Sequence, residues 1–309
     1  MNPFVSVIIP NYCHARFLDK RINSVLNQTY PNFEVIILDD KSSDNSSDII
    51  EQYRNHPKVS SIIYNSQNSG STFIQWNKGF NLAKGELIWL AESDDFCEPT
   101  FLENLVKEFI NDKECVLAFC KSIRVDENDK YLDKIDNIPA NLHLNGLQFI
   151  KKYLIYYNII ANASSALFKK DIALAVDKQY MTYKGAGDRL FWIEVSEKGN
   201  VAMVNSFLNY NRKHTSNVTK QRYSDGTNDI ENKRIFDYVL THFRLNKKER
   251  RSVELFYMFN IYRRPMENEN TRKKVINFWN VSFSIKLLAF CKYLIWRIYR
   301  FIFPVKMYH

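Results

Sequence analysis

The sequence predicts an α/β protein built on an open, doubly wound sheet. Short apolar, β-branched runs alternate with amphipathic helical stretches from the first residues to about position 111. Three of those runs end in polar clusters, Pro10-Asn11-Tyr12, Asp39-Asp40 and Ser93-Asp94-Asp95, at the strand ends where such sheets bind ligands. The composition, 45% hydrophobic and 25% charged over 309 residues, belongs to a packed chain rather than a disordered one. That length is near the limit of one core, so an appended element or a second domain is expected.

Val5-Ser-Val-Ile-Ile9 reads as a buried strand stopped by Pro10-Asn11. Leu18, Ile22, Val25 and Leu26 recur on one helical face, predicting a helix that ends near Tyr30-Pro31. Glu34 to Leu38 is the next strand. Strand, helix, strand is a βαβ unit and predicts parallel pairing. A helix near Ser47 to Tyr53, a strand at Val59 to Tyr64, a helix near Phe73 to Ala83 and a strand at Glu86 to Ala91 continue the alternation. After Pro99 a helix runs to about Asn111. Cys115 to Val125 opens a less regular half, with strands near Ala161 to Phe168 and Val201 to Tyr210, and residues 227–264 turn helical and polar.

Charge is distributed unevenly. The net charge is +9, and eight basic residues without one Asp or Glu lie between Thr271 and His309, so the rest of the chain is nearly neutral. No nucleic-acid groove across the body is implied. In the tail, Lys286, Lys292, Arg297 and Arg300 fall on a helical face apart from Leu287, Leu288, Cys291, Leu294, Ile295, Ile298 and Ile302. The charges interrupt every apolar run well short of the ~18 to 20 residues that cross a bilayer. The expectation is a helix lying on a membrane, with Trp279, Tyr293, Trp296 and Tyr299 as interfacial aromatics; the competing reading packs the apolar face on the main domain. Five cysteines without a C-x-x-C pair, and an N-terminus without the pattern of a signal peptide, fit a reduced, cytosolic setting.

Paired carboxylates at a strand end commonly mean only a solvated turn. Two such pairs on one predicted rim mean more. They would repel a diphosphate unless a hard divalent cation intervened, and oxygen ligands of this kind suit Mg²⁺ or Mn²⁺.

Val5-Ser-Val-Ile-Ile-Pro-Asn-Tyr12, Ile22-Asn-Ser-Val-Leu-Asn-Gln-Thr-Tyr-Pro-Asn-Phe-Glu-Val35 and Asp39-Asp40-Lys-Ser-Ser-Asp44 resemble the nucleotide-binding half of family 2 glycosyltransferases. Asn68-Ser-Gly70, Asn77-Lys-Gly79, Ala83-Lys-Gly85 and Leu90-Ala-Glu-Ser-Asp-Asp95 continue the pattern in order. The resemblance, strong over residues 4 to about 110 and weaker to about 215, implies a GT-A-type doubly wound mixed sheet with a nucleotide-sugar half (1–110) and an acceptor half (111–215). Beyond it the residue pattern adds a helical C-terminal extension (216–270) and the basic tail (271–309).

Carried over by position, the resemblance puts Pro10 and Tyr12 against base and ribose. Asp40 accepts a hydrogen bond from the base, Asp94 lies near ribose and diphosphate, and Asp95 holds the Mn²⁺ or Mg²⁺. Gly185-Ala-Gly-Asp188 matches the segment carrying the general base, so Asp188 is the expected base; an N-cap is the alternative use of an Asp there. Arg212 is matched to a phosphate contact and His214 to a further metal ligand. Lys41 stands where the family commonly has Gly, and Glu92 where it has a first Asp. The implied activity is inverting transfer of a sugar from a nucleotide-sugar donor, UDP above all, to a glycan or lipid-linked glycan acceptor in surface polysaccharide or lipopolysaccharide assembly. The implied location is the inner face of the cell membrane. A sugar nucleotidyltransferase and a non-catalytic nucleotide-sugar-binding assembly protein are the rivals. The first would need a Gly-rich basic loop after the first strand, which Pro10-Asn-Tyr-Cys-His14 is not.

Overall fold

A computed structural model describes residues 2–136, 138, 140–213 and 219–302. The chain divides into two compact units, one comprising Met1–Leu154, Asn158–Thr182 and Gly187–Ser216, the other Ile155–Tyr157, Tyr183–Ala186 and Asn217–His309.

The first unit opens with β1 (Val5–Asn11), α1 (Ala15–Leu26), β2 (Phe33–Asp39), α2 (Ser46–Glu51), β3 (Val59–Tyr64), α3 (Thr72–Leu82) and β4 (Leu87–Leu90). It continues with β5 (Phe96–Cys97), α4 (Phe101–Asn111), β6 (Cys115–Val125), β7 (Tyr131–Ile135), β8 (Leu142–Asn145), α5 (Gly146–Phe149), β9 (Ala166–Lys169), α6 (Lys170–Ala175), α7 (Gly187–Ser196) and β10 (Asn200–Arg212). One sheet runs in the order β3-β2-β1-β4-β9-β6-β10-β5, with β7 on β6 and β8 on β10. β1 pairs in parallel with β2 and β4, and β2 with β3. β9 then lies antiparallel to both β4 and β6, so the sheet is mixed, as the resemblance implied. Every residue of β1 and β2 is buried, which is why these strands are continuous apolar runs rather than alternating ones.

The register sets the rim. Asn11 sits opposite Asp39, and Ile8 opposite Leu90, so the ends of β1, β2 and β4 open on one edge of the sheet. The β1–β4 pairing depends on a close backbone approach at Gly85, where a Cβ would lie 2.5 Å from the Ser6 nitrogen and 2.6 Å from the Phe4 oxygen. The Gly85 N–H donates to Ser6 Oγ at 2.8 Å, and that hydroxyl donates to buried Glu34 at 2.7 Å. Gly85→Ala is therefore expected to cost about 1–3 kcal/mol by overpacking against backbone that cannot yield. A fall in the urea midpoint at unchanged m-value measures it; an unshifted midpoint would rule out this contact as a determinant of the sheet.

Three local differences from the sequence expectation have identifiable causes. α1 ends at Leu26 because the Gln28 side chain donates to the Glu98 carbonyl and accepts from the Leu102 N–H, both at 2.8 Å, drawing the chain away from the helix. The strand expected from Ala161 begins only at Ala166: Ser164 uses its hydroxyl on the Glu92 N–H and its carbonyl on Trp89 Nε1, and residues 163–165 coil into a 3₁₀ turn. β5, β7 and β8 are too short to carry a period of their own.

The second unit holds α8 (Thr219–Ser224), α9 (Thr227–His242), α10 (Lys247–Arg263), α11 (Glu269–Trp279) and α12 (Phe283–Ile302). The tail is thus two helices, broken at Asn280 in the left-handed region (φ 45°). The expectation that Trp279 is interfacial is corrected: it is 1% exposed, donates through Nε1 to the Asp229 carbonyl at 3.0 Å, and stacks on Tyr257 with centroids 4.5 Å apart. On α12, Ile285 and Ala289 are the buried residues. Phe283, Leu287, Ile295, Ile298 and Phe301 all stay exposed, Phe301 at 90%. The apolar stripe points outward, with Lys286 and Arg297 along one border and Lys292 along the other. Among the described residues no helix is long and apolar enough to cross a membrane.

Candidate active site

The turn motifs at the rim can be decoded atom by atom. Asp39 accepts from Asn11 Nδ2 at 2.8 Å and from Ser42 Oγ at 2.6 Å, locking the end of β2 to β1. Asp44 accepts from the Ala15 N–H at 2.9 Å and so serves the N-terminus of α1. Lys41, in the position of the family's Gly, adopts φ 62°; a side chain held there costs roughly 1–2 kcal/mol.

Asp40 is 5% exposed. Its Oδ1 accepts from Asn65 Nδ2, the Ser69 N–H and Gln75 Nε2 at 2.6, 2.9 and 2.9 Å, and its Oδ2 from Ser69 Oγ at 2.7 Å. Asn68 Nδ2 also donates to its carbonyl at 3.0 Å, which explains the Asn-Ser-Gly segment. A carboxylate offers about two acceptor positions on each oxygen; Oδ1 is crowded by three donors, while Oδ2, with one, has a position left. Pro10 is buried beside this corner and Tyr12 presents a ring that is 51% exposed.

Next to Gln75 on α3, Trp76 donates through Nε1 to Glu92 Oε1 at 2.8 Å. Adjacent residues of one helix therefore hold Asp40 and the Glu92-Ser-Asp-Asp95 turn. Ser93 is joined to His14, just past β1, at 2.8 Å. Asp95 is 2% exposed; its Oδ1 accepts from the Arg212 N–H at 2.9 Å, and its Oδ2 from Asn162 Nδ2. Asp94 is half-buried, and its carbonyl accepts from Arg212 Nε at 2.7 Å. Beneath the turn Arg21 is fully buried, donating through Nε to the Glu92 carbonyl at 2.8 Å, with no hydrogen-bond partner for its terminal nitrogens among the described residues.

The Arg212 guanidinium is itself enclosed. It pairs with Asp129 at 2.6 Å, donates to the Asp126 carbonyl at 3.0 Å and lies 4.5 Å over the Phe17 ring. Asp188 lies in the first turn of α7, half-buried, with Oδ1 accepting from the Arg189 N–H and Oδ2 from Asn158 Nδ2, both at 2.8 Å. Asn158 and Asn162, at the two ends of one loop, thus hold Asp188 and Asp95. His214 lies outside the described residues.

The electrostatics are those of crowded anions. Burial, then the Asp94 charge, push Glu92 up to about 8. Burial and Asp94 likewise raise Asp95, against the opposing pull of Arg21, Ser164 and the Arg212 N–H. When ionised, Glu92, Asp94, Asp95 and Asp129 outnumber the two enclosed guanidiniums of Arg21 and Arg212, and the excess of negative charge fits a divalent ion. Among the described residues no three His, Cys, Asp or Glu side chains form a metal-binding group by themselves. That agrees with how Mg²⁺ is commonly held, by one or two carboxylates plus substrate phosphates.

Residues 6–172 match the family described as glycosyl transferase family 2. The chain belongs to that family. Among curated relatives it is 32% identical over 140 residues to the putative teichuronic acid biosynthesis glycosyltransferase TuaG of Bacillus subtilis, covering 45% of this chain and 55% of that one. It is 30% identical over 129 residues to glycosyltransferase GlyG of Streptococcus pneumoniae, covering 42% of each chain. The chain thus spans about half the length of these curated relatives. Its fold is that of S. aureus TarS in complex with UDP-GlcNAc, at TM-score 0.66 and 18% identity over 93% of this chain and 79% of the other. The Pyrobaculum calidifontis mannosyltransferase PcManGT, solved with GDP-Man and Mn²⁺, gives TM-score 0.61 and 14% identity over 100% and 85%.

Reading the sequence alone did not single out Gln75, Trp76, Asn158 or Asn162 of this family 2 site. Gln75 and Trp76 follow the Asn-Ser-Gly turn at helical spacing, a usable signal; the two asparagines lie in an irregular loop that offers none.

Proposed function

We propose that this protein is an inverting glycosyltransferase that moves a sugar from a nucleoside diphosphate, UDP in the first instance, to an acceptor hydroxyl. The observation that carries the reading is the single rim on which α3 grips both Asp40 and the Glu92–Asp95 turn. Tyr12 offers a stacking face for the base, over Pro10, and Asp40 accepts the base N–H. Asp94, half-buried, faces ribose and diphosphate. Asp94 and Asp95 would hold Mn²⁺ or Mg²⁺, which when bound stabilises the charge of the departing diphosphate. Arg212, with its guanidinium enclosed, positions the Asp94-Asp95 turn and through it the phosphates; His214 is assigned as a further ligand.

Asp188 takes the proton of the acceptor hydroxyl as its oxygen attacks the anomeric carbon. Asn158 and the Arg189 N–H orient the carboxylate so that one lone pair meets that proton. With one base and one displacement the anomeric configuration inverts. The TuaG relationship supports a polysaccharide acceptor, glycan or lipid-linked.

The test is a panel of UDP-sugars and GDP-mannose with and without Mn²⁺. Release of the nucleoside diphosphate coupled to transfer is expected. Pyrophosphate release from a nucleoside triphosphate would replace the reading with a nucleotidyltransferase, and binding without turnover with a non-catalytic assembly protein.

The outward stripe of α12 supports peripheral attachment to an anionic leaflet at the inner face of the membrane. Each basic residue near such a surface contributes about 1 kcal/mol. Leu287→Asp with Ile298→Asp is expected to release the protein from phosphatidylglycerol vesicles in co-sedimentation while leaving its melting temperature unchanged. Retained sedimentation would return the stripe to the status of a solvated face.

A further inference from the structure

Within the second unit, α10 and α12 leave between them an apolar groove of about 510 Å³, inside the ~300–1,000 Å³ range of small-ligand sites. Leu255, Phe256 and Phe259 form one wall, and Ile295, Trp296 and Tyr299 the other. Each wall repeats at helical spacing, so the groove is a continuous trough along two helix faces rather than an isolated dimple. Its polar lining is sparse, as hydrocarbon requires and sugars do not. Ile295 and Tyr299, 66% and 56% exposed, belong at once to the groove and to the outward stripe, which makes the two surfaces continuous.

Cations flank Trp296. Arg263 and Arg300 lie 5.7 and 5.6 Å from its ring, and Lys292 lines the groove one turn before it on α12. None of the three forms an ion pair among the described residues. Arg263 is held below the usual guanidinium range by burial and by its neighbours Arg264 and Arg300, the mark of a positive cluster without a counter-charge. Hydrocarbon walls bordered by unneutralised cations are complementary to a chain that carries a phosphate.

We propose that the groove between α10 and α12 seats one hydrocarbon chain of an anionic membrane phospholipid, with the lipid phosphate against Arg263 and Arg300 beside Trp296. The proposal deepens, and rests on, the membrane-surface reading of α12. It converts a helix that lies on a leaflet into one that withdraws a single lipid from it.

Trp296 makes the test direct. The other four tryptophans, Trp76, Trp89, Trp192 and Trp279, are at most 2% exposed, so lipid-dependent emission changes report on Trp296, as a Trp296→Phe control verifies. Vesicles of phosphatidylcholine with chain-dibrominated phosphatidylglycerol are expected to quench this emission. Ser252→Phe fills the groove from an exposed position on α10, and should lose the quenching while still sedimenting with the vesicles. Arg263→Gln with Arg300→Gln should lose it without filling the groove. Equal quenching in Ser252→Phe and wild type overturns the proposal. So does a Trp296 shift that follows protein concentration rather than lipid, which would assign the groove to a second copy of the chain. Monomeric short-chain dibrominated phosphatidylglycerol separates the two claims. If the wild type ignores vesicles yet is quenched by the monomeric lipid, the membrane reading falls and the groove stands; no quenching by either removes the groove.

Discussion

Replacing Asp188 by Asn is expected to lower kcat for sugar transfer by about 10²- to 10⁴-fold, the range for loss of a positioned general base, and to leave nucleotide affinity unchanged. The substitution is chosen because it separates the two uses of an Asp at this place. Asn retains a side-chain oxygen for the Arg189 N–H and serves helix starts about as well as Asp, but it gives up the hydrogen bond from Asn158 Nδ2, so the stability cost should stay at about 1 kcal/mol. What Asn cannot do is accept the acceptor's proton. Single-turnover transfer with a saturating donor, alongside UDP titration calorimetry, reads the two effects independently. Undiminished transfer would leave Asp188 as a helix cap and nothing more.

The second large effect is thermal and depends on pH. Glu92 has its pKa raised from 4.5 to about 8, and Asp95 shifts in the same direction. Between those limits the folded protein binds more protons than the unfolded chain, so the metal-free protein loses stability as pH rises through the window from about 4.5 to about 8. A divalent ion that binds only the folded, ionised rim reverses this trend, because its binding displaces those protons. In the presence of UDP, Mn²⁺ at about 100 times its Kd should add ~2.7 kcal/mol. The rise in melting temperature should be larger at pH 8 than at pH 6. Asp94→Asn should abolish most of it. A gain independent of pH, or one that survives Asp94→Asn, would place the ion elsewhere.

Much of this site can be read in one dimension because it sits at strand ends, where period and punctuation coincide. The runs closing at Asn11, Asp39 and Leu90 announce their own termini, and parallel βαβ order brings those termini to one edge. The partners of the acidic residues are harder to see. Asn162 reaches Asp95 across 67 positions, and Arg21 meets the Glu92 carbonyl across 71, with no local pattern to betray either. The tail shows the same limit from the other side. Amphipathicity marked α12, yet only packing decided that its apolar face looks outward and that Trp279 belongs to a core.

The grip of α3 carries a last implication. Since Gln75 and Trp76 are consecutive, a displacement of that helix moves Asp40 and the Glu92–Asp95 turn together. In the proposed site that gears donor selectivity to turnover: discrimination against a wrong base would be felt at the bond that breaks, and lesions in this helix should depress affinity and rate in concert.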